Sequence, residues 1–137
     1  MRIFVTGATG LVGRRVIQSL QDAHDITALS RDAQKLNTLC SGIESIEGDV
    51  TTPGDWQDRA SSADAVIHLA GAGILDKRWS PTYKEVLRRS RIESTRRVAE
   101  LAPKLLINAS ATGIYGDCGD QELAEPSPAA EDFLGTL

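Results

Sequence analysis

The chain has 137 residues, 41% hydrophobic and 25% charged, with a formal net charge of −4. That length supports one domain with a real core, and the mild acidity argues against a general affinity for nucleic acid. No apolar run is long enough for a membrane span, and the first residues enter a predicted strand with no room for a secretory leader. Two cysteines, Cys40 and Cys118, read better as reduced thiols than as a disulfide framework, so a cytoplasmic location is expected.

Arg2 to Thr6, with Ile3, Phe4 and Val5 in succession, predicts a short buried strand, followed by a glycine turn. Leu11, Val12, Val16, Ile17 and Leu20 then recur at helical spacing. Asp25 to Ser30 is a second strand, and Asp32 suits the cap of a short helix carrying Leu36 and Leu39. Ile43 to Glu47 is a weaker third strand, closed by Gly48-Asp49. Pro53 marks a helix start with Trp56 on its inner face. Ala63 to Ala70 predicts a buried fourth strand, and Ser80-Pro81 opens a long helix to about Leu101, ended by Pro103. Lys104 to Ala109 is a fifth strand.

Strand and helix alternate with short links, which predicts an α/β fold: a doubly wound parallel sheet of the Rossmann type with helices on both faces. A complete sheet of that type wants a sixth strand. Residues 1–137 are therefore expected to form a dinucleotide-binding domain that stops before that strand and before a substrate domain, with a stand-alone five-strand domain as the alternative.

Gly7, Gly10 and Gly13 recur at every third position where the first strand gives way to the first helix. In that context Gly7 permits the tight turn, Gly10 lets a pyrophosphate approach the backbone, and Gly13 lets helix and strand close up. Free amides at the helix start and the helix dipole favour the anion. At the end of the second strand, Ser30 offers no charge to repel a ribose 2′-phosphate and Arg31 can pair with one; Arg14 can assist. NADP is therefore favoured over NAD.

With TGATG spelled out in a G-x-x-G-x-x-G spacing, the chain resembles the extended or atypical branch of the short-chain dehydrogenase/reductase superfamily. The resemblance places Asp49 and Val50 of GDV against the adenine, and the LAGAG of residues 69–73 along the cofactor ribose. The implied cofactor contacts are Gly7, Thr9, Gly10, Leu11, Val12, Ser30, Arg31, Asp49, Val50, Leu69, Ala70 and Gly71. Asp76-Lys77-Arg78-Trp79, Ser90-Arg91, SATGIYGDCGD and the SPAAEDFL tail are similar to one epimerase-like branch, whose members are labelled sugar-nucleotide epimerases. Their N-terminal part covers essentially this whole chain, and a C-terminal substrate domain follows in complete members.

The resemblance implies a Ser or Thr that polarises a substrate oxygen, a Tyr acid/base, and a Lys four residues on that tunes it. Ser110 suits the first role, with Thr112 in reserve. The tyrosine and lysine positions hold Phe133 and Leu137; Tyr115 is the substitute acid/base candidate, with a packing role as its alternative. Lys77, Arg78 and Trp79 are candidates for an anionic substrate such as a nucleotide sugar, against a solvated helix face and simple packing. His68 reads as a satisfied core histidine, and the acids from Asp117 to Glu125 carry no metal-site spacing. Two functions stand: an NADP-dependent oxidoreductase or epimerase, and a catalytically silent dinucleotide sensor or scaffold lacking the Tyr/Lys pair. Pairing of two copies through the long helix is a further expectation.

Overall fold

In the computed structural model, which describes residues 1–137, the period-2 alternation of the first strand organises both faces of the sheet. Ile3 and Val5 join one core with Ile17, Ile26, Leu36 and Ile67, while Phe4 joins the other with Leu29, Trp56, Val66 and Val98. The elements in order are β1 (Arg2–Thr6), α1 (Leu11–Leu20), β2 (Asp25–Ser30), α2 (Ala33–Leu39), β3 (Glu44–Glu47), α3 (Trp56–Ser62), β4 (Ala65–His68), α4 (Pro81–Glu100) and β5 (Leu106–Asn108), then a 3₁₀ turn over Thr112–Tyr115. The five strands form one sheet in the order β3-β2-β1-β4-β5, with every neighbouring pair parallel. The strand order reverses between β1 and β4, where such sheets open a crevice at the carboxyl ends of the strands.

Local chemistry sets the helix starts. The Asp32 carboxylate accepts from the Lys35 amide at 2.8 Å to cap α2, and Ser80 accepts from the Tyr83 amide at 3.2 Å to cap α4, with Pro81 in its first turn. Tyr83, Leu87, Ser94 and Val98 form the buried stripe of α4. Trp56 seals the α3 face, 2% exposed, with its ring 6.1 Å from that of Phe4.

Several elements are shorter than their sequence patterns. α3 begins at Trp56 rather than Pro53, because Gly54 first makes a turn, its amide donating to Gln57 Oε1 at 3.1 Å. β4 ends at His68: the Leu69 amide still bonds Thr6 O on β1, but the Ala70 amide turns to the Thr6 side chain at Oγ1, each at 3.3 Å. β5 shrinks to Leu106–Asn108, an outer strand with Leu105 and Ile107 47% and 48% exposed. Both cysteines are free thiols, and no helix is long and apolar enough to cross a membrane.

Candidate functional site

At Gly7 the backbone takes φ +71°, and a Cβ there would sit 2.6 Å from the Leu69 carbonyl carbon. A Cβ at Gly13 would press into the carbonyl oxygen of Gly7. The turn is thus closed against α1 on one side and the segment after β4 on the other, and only glycine fits either contact. Gly10 donates to Gly7 O at 3.0 Å and Arg14 donates to Gly10 O at 3.1 Å, while the amides of Leu11, Val12 and Gly13 have no protein acceptor. Gly10 is the N-cap of α1 with no side chain in the way. These are the bare donors and the positive helix end that an anion requires.

The turn forms the floor of a cleft of about 580 Å³ along the carboxyl ends of β1 to β4. Of the residues expected at a cofactor, Gly7, Thr9, Gly10, Ser30, Arg31, Asp49, Val50, Leu69, Ala70 and Gly71 all line it. Leu11 and Val12 do not; their side chains are exposed, and they offer only their amides. Asp49 Oδ1 accepts from the amide and hydroxyl of Thr51, at 2.8 and 2.7 Å. Burial pushes that carboxyl up, but the two Thr51 donors and the Arg31 charge outweigh it and hold it below its ordinary value. Arg97 fastens the same loop from α4, its Nε donating to Thr51 O at 2.8 Å.

The cleft has lining that sequence reasoning missed. Val86, Arg89, Ser90 and Glu93 of α4 form its far wall, and Lys35 stands beside Arg31. Val86, Ser90 and Glu93 share a helical face by spacing alone. Nothing in the sequence says which face of α4 meets the cleft. Arg89 and Glu93 pair there at 3.1 Å.

His68 is 2% exposed. Its Nδ1 lies 2.6 Å from Thr6 Oγ1 and its Nε2 3.0 Å from Ser94 Oγ. It is the satisfied core histidine that the sequence suggested, and burial pushes its pKa down to about 4.

The candidate catalytic and substrate residues stand apart from the cleft. Ser110 is exposed just past β5, and Tyr115 is half-buried at the end of the 3₁₀ turn; neither lines the cleft. Trp79 donates its indole N–H to Ile74 O at 2.7 Å and meets the ring of Phe133 edge-on at 5.6 Å. Lys84 Nζ lies 4.9 Å from the Phe133 ring centre, and Lys77 Nζ 5.9 Å from that of Tyr83. Tyr83 spends its hydroxyl on Gly73 O at 2.6 Å, which ties down the loop holding Lys77 and Arg78. No three His, Cys, Asp or Glu side chains converge as metal ligands would.

Residues 3–133 match the model of the NAD dependent epimerase/dehydratase family. A chloroplastic epimerase family protein of Arabidopsis thaliana is 34% identical, over 100% of this chain and 42% of its own length. An epimerase family protein of Staphylococcus aureus is 41% identical, over 81% of this chain and 38% of its own. The chain thus spans about two-fifths of the length of these relatives. Among solved structures, UDP-glucuronic acid 4-epimerase from Bacillus cereus, in complex with UDP-glucuronic acid and NAD, superposes with a TM-score of 0.81 at 22% identity, over 99% of this chain and 48% of that one. A short-chain dehydrogenase/reductase superfamily protein from Agrobacterium tumefaciens with bound NAD gives 0.78 at 22% identity, over 99% and 41%. These structural likenesses establish the shared fold.

Proposed function

Because the chain belongs to the NAD dependent epimerase/dehydratase family, we propose that it holds a nicotinamide dinucleotide in this cleft and serves an epimerase-like oxidoreductase acting on a nucleotide sugar or a related carbonyl or hydroxyl substrate. The observation that carries the proposal is the cradle itself: no room for a Cβ at Gly7 or Gly13, and unpartnered amides at Leu11 to Gly13. When bound, the nicotinamide accepts a hydride from a substrate carbon or returns one.

The chain's own residues fit the rest of such a group. Ser30 is spent on the loop, its Oγ bonding the backbone of Asp32 at 3.0 and 3.1 Å, and Asp32 is spent on the α2 cap. Asp32 Oδ1 is thus engaged at the end of β2, and Asp32, Arg31 and Lys35 line the cleft there. Arg14 Nε is buried without a partner. Arg31 and Lys35 together favour a 2′-phosphate, and hence NADP over NAD, with Asp49 the carboxylate whose charge Arg31 already feels. Ser110 then holds a substrate oxygen and Tyr115 handles its proton. Residues 1–137 are the dinucleotide-binding part in this proposal, and the sixth strand and substrate domain come from polypeptide outside them.

One observation favours a second function, that of a dinucleotide sensor without turnover. Phe133 fills the position of the family's acid/base tyrosine and is packed against Trp79. Calorimetric titration with NADPH and NADH tests the cofactor. NADPH binds tighter, and Arg31→Ala weakens it about ten-fold while changing NADH by less than about two-fold. Equal losses for both would remove the 2′-phosphate assignment, and no heat from either would remove the cofactor itself. Turnover of a nucleotide sugar that Ser110→Ala abolishes would exclude the sensor.

A further inference from the structure

The wall of the cleft after β4 is held at two points. The Ala70 amide donates to Thr6 Oγ1 at 3.3 Å, and the Ala72 amide donates to Ser90 Oγ at 3.0 Å. Between these two anchors lies His68, whose ring reaches Thr6 on one side and Ser94 on the other. Ser94 is fully buried on α4 and does not line the cleft.

The partners fix the direction of each hydrogen bond. Ser94 Oγ donates its proton to Ser90 O at 2.6 Å, so toward His68 it can only accept, and His68 Nε2 carries the hydrogen. Nδ1 is then the acceptor and Thr6 donates to it, which leaves the lone pairs of Thr6 Oγ1 for the Ala70 amide. In the opposite tautomer the Thr6 hydroxyl proton has no acceptor, and Ser94 must abandon Ser90 O to serve Nε2. A charged ring has two donors and leaves the Thr6 proton without a protein acceptor in the same way, on a residue only 1% exposed.

We propose that His68 is a positioning residue: as a neutral imidazole protonated at Nε2, it sets the polarity of a chain running from the Ala70 amide through Thr6 and Ser94 to the Ser90 carbonyl, and so holds the wall of the cleft at Ala70 at the spacing the dinucleotide needs, while the Ala72 amide is anchored separately on Ser90 Oγ, which donates to Leu87 O. The proposal rests on the cofactor role given to the cleft. The groups around the ring are Thr6 from β1, Asn108 opposite it in β5, and Ser94 from α4. Of the charged side chains flanking Ser94, Arg91 donates to Leu87 O at 3.4 Å and Glu93 pairs with Arg89. Burial alone accounts for the ring's resistance to protonation.

Two measurements test it. Nitrogen-15 NMR of the imidazole in the free protein should report the Nε2–H tautomer at neutral pH, and the Ala70 amide resonance, linked to the ring through Thr6 Oγ1, should shift with it as the ring protonates near pH 4. The Nδ1–H tautomer, or an Ala70 amide that ignores the ring, would overturn the proposal whatever the cleft binds. NADPH titration of Ser94→Ala, a change remote from the cleft, should raise the Kd about five-fold, and Thr6→Val should do the same while Thr6→Ser stays within about two-fold. A Ser94→Ala protein that melts lower yet binds NADPH as the wild type does would reduce the chain to a packing device and sink the proposal. If the wild type binds neither NADPH nor NADH, the cofactor role of the cleft fails while the NMR result still decides the relay.

Discussion

β4 and β5 lie side by side in the sheet, yet they are held by different physics. Every residue of β4 is buried, and its one polar side chain, His68, has a partner for each ring nitrogen. β5 has no fully buried residue, and beyond it Ser110 is exposed and Tyr115 is held by a short turn, with Cys118 Sγ donating to Tyr115 O at 3.2 Å and the Ala130 amide to Ile114 O at 2.8 Å. The proposed cofactor side of the molecule is thus fixed by its interior, where each displacement costs packing and hydrogen bonds together. The proposed reaction side is fixed by surface turns, where displacement costs little.

Substitutions on the two sides should separate accordingly. The largest effect is expected from Trp56→Ala, about 4 kcal/mol of unfolding free energy by urea denaturation, because the ring is enclosed and its indole N–H is bonded to Thr52 O at 3.1 Å. Gly7→Ala should cost about 3 kcal/mol, since it combines a positive φ with a backbone clash, and should abolish NADPH binding. A Gly7→Ala protein with wild-type stability and affinity would show that the turn is not closed.

Acid should act next. The unfolded chain protonates His68 near pH 6.5 and the folded chain only near 4. Stability is therefore complete above pH 6.5 and drains as the pH falls toward 4, by about 2 kcal/mol at pH 5. His68→Gln should flatten that limb. Asp64 marks a later one: the Arg2 amide and the Lys104 ammonium hold its carboxyl down to about 2, so its contribution is lost only below about pH 4. The smallest effect is expected on the other side, where Ile107→Ala should change unfolding by less than about 1 kcal/mol, the side chain being 48% exposed. A loss comparable with that of Trp56→Ala would mean that β5 is as enclosed as β4.

The fold was largely legible because its signals are local. Three glycines after an apolar strand, Asp32 and Ser80 at helix starts, and Trp56 on an inner face each act within a few residues, and each is seen where expected. Strand ends were less legible. Ala63 to Ala70 is mostly apolar, but β4 stops at His68 because the side chain of Thr6, distant in sequence, draws the Ala70 amide out of the ladder. The cleft floor was readable from the glycines, whereas its far wall of Val86, Ser90 and Glu93 was hidden among charged residues that looked merely solvated.

By itself the sequence determined the order of strands and helices, the place of the glycine turn and the family, because turn chemistry and hydrophobic period are properties of neighbouring residues. Only the tertiary structure decided that Ser94, a poor residue for a helix core, is the partner of His68, and that Trp79 lies against Phe133 rather than in the cleft. The reason is physical: a buried polar atom is satisfied by whatever the fold brings to it, and a sequence separation of 26 between His68 and Ser94 carries no local record of that meeting.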